Sequence, residues 1–169
     1  MKSLMSRLDS LIGGIVAVLM ALALALSTLG ILSRYFLADF NLDWIGEVVI
    51  FMIIWAILLC IPRVERRSAH VRVDFLFDAM SPKGQKFAEM LSIGIGALVS
   101  LLLVYAGWLV VGDAILWKER TPSTLHVPLW IYYSSLSVAF ALNLLFLTER
   151  AINVMQGQIA HPHDTNLAD

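Results

Sequence analysis

The sequence predicts an all-α integral membrane protein of about four transmembrane helices, with both termini on the cytoplasmic side. Three observations predict it: long apolar runs that are almost free of charge, an overall excess of hydrophobic residues, and a lopsided placement of Lys and Arg. Of 169 residues, 59% are hydrophobic and 15% charged, and the mean hydropathy is +0.80. Soluble domains hold roughly 45–50% apolar residues. The length suits one membrane domain over residues 1–169.

A helix needs about 20 consecutive apolar residues to cross the hydrocarbon core. Four stretches meet this, at about 11–33, 44–62, 87–117 and 127–147, followed by a polar tail at 148–169. The first, Leu11 to Leu32, carries no charge. Lys2 and Arg7 precede it, and Ala21-Leu22-Ala23 resembles a signal-peptide cleavage site. The apolar run continues well past that site, beyond the roughly 7–15 residues of a signal core, so a retained helix is expected. The second runs from Trp44 and is expected to end at Pro62. The third has Glu89 at its start and Asp113 near its end, and the fourth, Val127 to Leu147, is uncharged. Barrel strands alternate in polarity over about ten residues; these runs do not alternate.

Nine of the twelve Lys and Arg residues fall in the N-terminal tail, the loop between spans two and three, and the C-terminal tail. Arg34, Lys118 and Arg120 fall on the other side. The positive-inside rule then places both tails and the middle loop in the cytoplasm. That loop contains Val71 to Met80, in which Asp74 and Asp78 are one helical turn apart among apolar residues. Two readings fit it: an interfacial helix at the headgroups, or a short connector covered by neighbouring protein. Ser81-Pro82 ends the segment and suits the first turn of the next helix.

Composition excludes several functions. The net charge of −1 gives no broad basic surface for nucleic acid, and the single cysteine, Cys60, excludes a disulfide framework and a Cys-rich metal site. His70, His126, His161 and His163 all lie outside the spans, where they offer no axial haem ligand at membrane depth. No phosphate-binding glycine loop, HExxH or Gly-x-Ser-x-Gly occurs. An enzyme is not expected, nor is a cofactor.

The acids inside the spans are Glu47 and Asp113. Intramembrane acids are functional candidates because burying them is costly, but both lie near the outer-facing helix ends. An Arg34–Glu47 pair across the outer turn is one expectation; a coupling-ion role for Glu47 is the competing one. Small residues recur every four positions at Gly13, Ala17, Ala21 and Ala25, and at Ser92, Gly96 and Ser100. Such stripes let helix backbones approach closely, within the chain or against another subunit. Trp44, Trp108, Trp117, Trp130, Tyr132 and Tyr133 gather near the outer ends, as an interfacial belt would.

Four segments in order carry a resemblance to a known family. Arg34-Tyr35-Phe36 closes the first span. Trp44-Ile45-Gly46-Glu47, with an apolar run to Trp55, opens the second. Arg67 to Asp74, with His70 and Asp74, follows it, and Thr121-Pro122 through Pro128-Leu129-Trp130 leads into the fourth. Together these resemble the small membrane subunit (DctQ-type) of tripartite ATP-independent periplasmic (TRAP) transporters. Gly46 stands where that family usually has the first of two glutamates, which leaves Glu47 alone. The resemblance implies a non-catalytic scaffold subunit of a cation-gradient-driven, sodium-coupled importer of organic acids, among them dicarboxylates, keto acids and sialic acids. It implies a large membrane subunit that carries the substrate and ion sites, a periplasmic substrate-binding protein, and a home in the bacterial inner membrane. Arg34, Trp44, Glu47, Trp55, His70, Asp74 and Pro128 become motif or subunit-contact candidates. The rival functions are a self-sufficient small transporter or channel using Glu47, and the membrane anchor of an oxidoreductase.

Overall fold

In a computed structural model, residues 2–36, 44–66 and 81–156 are described. They form four helices: α1 (Lys2–Phe36), α2 (Trp44–Arg66), α3 (Pro82–Leu116) and α4 (Trp130–Met155). All four are long and apolar enough to cross a membrane. The middle segment, including His70 and Asp74, lies outside the described residues.

The helices outrun the apolar stretches. The second does not stop at Pro62 but continues to Arg66, and Pro62 is buried within it. Proline removes one amide donor and crowds the preceding turn, a defect that membrane helices tolerate when neighbouring helices pack over it. Beyond Pro62, Arg63, Glu65 and Arg66 bond to neighbouring helices, which holds the last turn in place. The fourth helix begins at Trp130 rather than Val127, because Val127 and Pro128 are engaged in backbone pairing with Thr121 and Arg120. Its far end runs past Leu147 to Met155. The third helix is capped by Ser81, whose Oγ accepts the Gly84 N–H at 3.3 Å.

Contacts run α1 to α2, α2 to α4 and α4 to α3. The helices therefore stand in the order α1–α2–α4–α3, an open row with α2 and α4 inside it. Heptad-like seams join the neighbours. On α1 a seam runs through Met5, Asp9, Ile12, Val16, Leu19, Ala23, Leu26, Gly30 and Ser33, in alternating steps of four and three as in a coiled coil, with Leu8 and Gly13 partly covered beside it. Gly30 lies against Ile45 of α2, with a would-be Cβ 3.1 Å from that side chain. Ala17, Ala21 and Ala25 are exposed. Geometry explains why: each four-residue step turns the helix by about 40°, so a stripe starting at Gly13 has rotated by about 120° at Ala25. The observed seam drifts far less.

Between α3 and α4 the small residues do meet a neighbour. Gly96 faces Leu147, and Gly107 faces Ser137 so closely that an added Cβ would stand 2.4 Å from its Oγ. Asn143 donates from Nδ2 to Ser100 Oγ at 3.0 Å, and Ser100 donates to the Gly96 carbonyl at 2.7 Å. Ser92 points outward. Lipid tails are as apolar as leucine, so close backbone approach and interhelical hydrogen bonds supply the attraction.

We predict that Gly107→Val lowers the thermal stability of the purified chain by about 1–3 kcal/mol through overpacking. Gly94→Val, where an added side chain meets nothing within 4 Å, should leave the melting temperature close to wild type.

Candidate functional site

The most concentrated chemistry lies at one end of the row, where seven charged side chains from all four helices converge. Arg63 Nε of α2 donates to Asp9 Oδ1 of α1 at 3.1 Å. Arg66 reaches the other Asp9 oxygen at 3.6 Å and Glu149 Oε2 of α4 at 3.2 Å. Arg150 of α4 bridges Glu65 of α2 and Glu89 of α3, reaching Glu89 Oε1 at 2.7 Å. Its side chain is 14% exposed and that of Glu89 is 6%, so these charges have left most of their water. Ionisable groups at membrane depth face the protein interior and pair with one another for this reason.

The local sequence makes the convergence possible. Asp9 and Gly13 are one turn apart on α1, and the Arg63 guanidinium lies over Gly13, within 2.8 Å of where a Cβ would sit. A glycine there opens the path by which Arg63 reaches Asp9. Arg66 also lies over the Phe146 ring, 5.7 Å from its centre, a cation–π contact. Beneath the charges, Ile12, Leu59 and Phe146 form a buried apolar cluster drawn from α1, α2 and α4.

This network also fixes a depth. From Glu65 back to Trp44 on α2, and from Arg150 back to Trp130 on α4, the rise is about 30 Å at roughly 1.5 Å per residue. That is about the thickness of a hydrocarbon core. The separation of the charge network from Trp44 and Trp130 thus matches one hydrocarbon thickness.

At the tryptophan end, Trp55 Nε1 donates to the Ile131 carbonyl at 3.2 Å, tying α2 to the first turn of α4. Phe51 meets Tyr132 edge-on at 5.4 Å between ring centres. Trp44 is half-buried and Arg34 exposed. Arg34 and Glu47 form no ion pair among the described residues; both Glu47 carboxylate oxygens are buried without a hydrogen-bond partner there. Ile45 points at Gly30 of α1, and Glu47, two residues on, is turned by about 200° from it. The carboxylate therefore faces away from the helix that bears Arg34. Pro128 pairs with Arg120 across the α3–α4 loop, and Thr121 Oγ1 accepts the Val127 N–H at 2.9 Å.

The sequence reading misses the network: it takes Arg63, Arg66 and Arg150 as loop and tail charges and Glu89 as the start of a span, and assigns nothing to Asp9, Glu65 or Glu149. The available signal is spacing: Asp9, Arg63, Glu65, Arg66, Glu149 and Arg150 lie within about one turn of the end of an apolar span and Glu89 at the start of one, on the same side of all four.

Removing one partner from a buried pair strands the others, at a cost of about 3–5 kcal/mol. Arg150→Gln should therefore destabilise the folded chain by about 3 kcal/mol in a thermal or denaturant melt. Adding Glu89→Gln to that variant should recover part of the loss, because the two side chains are directly coupled.

The family profile described as "Tripartite ATP-independent periplasmic transporters, DctQ component" matches residues 23–157. The chain is 24% identical over 137 residues to the C4-dicarboxylate TRAP transporter small permease protein DctQ of Rhodobacter capsulatus. That alignment covers 79% of this chain and 58% of the relative, so the chain matches somewhat more than half of that protein's length. Four membrane-crossing helices and a family match over most of their length lead to one conclusion: the chain is a multi-pass membrane protein that belongs to the DctQ family of small TRAP transporter subunits.

Proposed function

We propose that this chain is the non-catalytic scaffold subunit of a TRAP transporter in the bacterial inner membrane, with both termini in the cytoplasm. The family match carries the reading, and two physical features support it. The charge network ties all four helices together at one membrane boundary, which suits a part that stays still while another moves. The row is also open: along α2, Gly46, Ile50, Ile57 and Val64 form an exposed stripe down the full helix, a surface for a larger membrane partner. The large subunit holds the substrate and ion sites, a periplasmic binding protein delivers the substrate, and a cation gradient, sodium in this proposal, drives uptake. The substrate class is organic acids. The relative's name supports a C4-dicarboxylate, and other organic acids fit the same scaffold. The distribution of Lys and Arg supports the orientation.

Trp44 and Glu47, at the start of α2, mark the region proposed to engage the large subunit. Trp44→Ala should reduce co-purification with that subunit while leaving membrane insertion unchanged. Wild-type yields in the pull-down would remove Trp44 from the interface. In liposomes, the chain alone should move no organic acid down a sodium gradient, and uptake should appear on adding the large subunit and the binding protein. Uptake by this chain alone, abolished by Glu47→Gln, would instead establish a self-sufficient transporter.

A further inference from the structure

The two ends of the row handle their charges differently. At the network end, Arg63, Arg66 and Arg150 each pair with a carboxylate. At the far end, Lys118 and Arg120 are exposed and, among the described residues, pair with no carboxylate, nor does their neighbour Glu119 pair with a base there. Arg120 Nη1 donates to the His126 carbonyl at 3.4 Å. These three residues border a shallow, almost wholly apolar cleft of about 140 Å³ together with Ala114, Ile115, Pro128 and Trp130, which leaves their charged groups at its rim.

The cleft has a defined depth. Trp130 lies about 30 Å along α4 from Arg150, at the hydrocarbon edge opposite the network. Ile115, Leu116 and Trp117, just before Lys118, are 55%, 74% and 74% exposed, so the wall below the charges is apolar and open to acyl chains. The backbone presents Lys118 deliberately. Glu119 N–H bonds to the Ala114 carbonyl at 3.0 Å and Lys118 N–H to that of Ile115 at 3.2 Å. This is a Schellman closure, which places Lys118 at φ 51°, where glycine is the usual residue. A lysine held there in a left-handed conformation keeps a cationic side chain at the rim.

We propose that this cleft binds the headgroup of a zwitterionic glycerophospholipid. Lys118 and Arg120 hold the phosphodiester, Glu119 meets the ammonium, and the acyl chains lie along the exposed end of α3. Arginine and lysine both bind phosphate well, and each basic residue near a lipid surface adds appreciable attraction. Glu119 beside two bases gives a headgroup ammonium an ion-pair partner that phosphatidylglycerol, whose terminal glycerol is neutral, cannot use.

The full chain, purified in detergent, should be challenged with phosphatidylethanolamine, phosphatidylglycerol or inorganic phosphate and its adducts counted by native mass spectrometry. Phosphatidylethanolamine should be retained in preference to phosphatidylglycerol, and inorganic phosphate should neither bind nor displace it. Lys118→Gln with Arg120→Gln should lower occupancy by about tenfold, and Glu119→Gln should erase the preference between the two lipids. Equal occupancy in the double variant, equal retention of both lipids, or displacement by free phosphate would overturn the proposal. Because these side chains are exposed, the variants should melt as wild type does. As an independent check, a photoreactive residue replacing Ile115 should capture lipid in native membranes; capture of a polypeptide instead would assign the cleft to a protein contact.

Discussion

Charges do not remain at the edge of a hydrocarbon layer unless something compensates for the lost water, and here they compensate one another. Arg66 links α1 to α4 through Asp9 and Glu149, while Arg150 links α2 to α3 through Glu65 and Glu89. Between them, two guanidiniums touch every helix. The fork of donors on arginine allows this, since a lysine presents a single charged nitrogen and cannot address two separated carboxylates in the same planar manner. Apolar contacts alone would not fix the order of the helices, because a leucine face is as content against lipid as against protein. The network selects one arrangement among many that lipid would otherwise tolerate.

The same constraint accounts for the open shape. A water-soluble bundle closes to hide its apolar surface, but these helices leave Leu24, Leu98, Tyr105 and Trp108 broadly exposed, since lipid solvates them. Neighbour contacts need only a narrow seam, supplied by glycine and serine where backbones approach and by the Asn143–Ser100 hydrogen bond at mid-depth. Both faces of the row stay available. For the scaffold role proposed above, that is the geometry of a plank that can lie along a larger partner. Toward the far end the joints differ: a backbone bridge closes the α3–α4 loop and Trp55, midway along α2, bonds to Ile131 in the first turn of α4, with no ion pair there among the described residues.

Much of the fold was legible from residues alone. The number and rough extent of the spans followed from apolar run length, because about 30 Å of hydrocarbon imposes a length that few other constraints mimic. The family resemblance, carried by segments such as Trp44 to Glu47 and Thr121 to Trp130, agrees with the match over residues 23–157. The candidate site was far less legible. The pairing of Arg34 with Glu47 rested on closeness in the chain, whereas the direction of a side chain depends on the rotation of its helix, and Ile45 rather than Glu47 faces α1. The four-residue stripe on α1 failed as an internal seam for a related reason: its period leads the helix away from its neighbour, leaving Ala17, Ala21 and Ala25 outside.

By itself the sequence determined that this chain lives in a membrane, crosses it about four times and belongs with the small TRAP subunits, because hydrophobic run length and ordered local motifs are properties of contiguous residues. Only the tertiary structure decided the row order α1–α2–α4–α3, the path of α2 through Pro62, and the meeting of Asp9, Arg63, Arg66, Glu65, Glu89, Glu149 and Arg150. Those residues are scattered over nearly the whole chain. What unites them is a common depth and a common need to replace lost water, and neither can be read from a single segment.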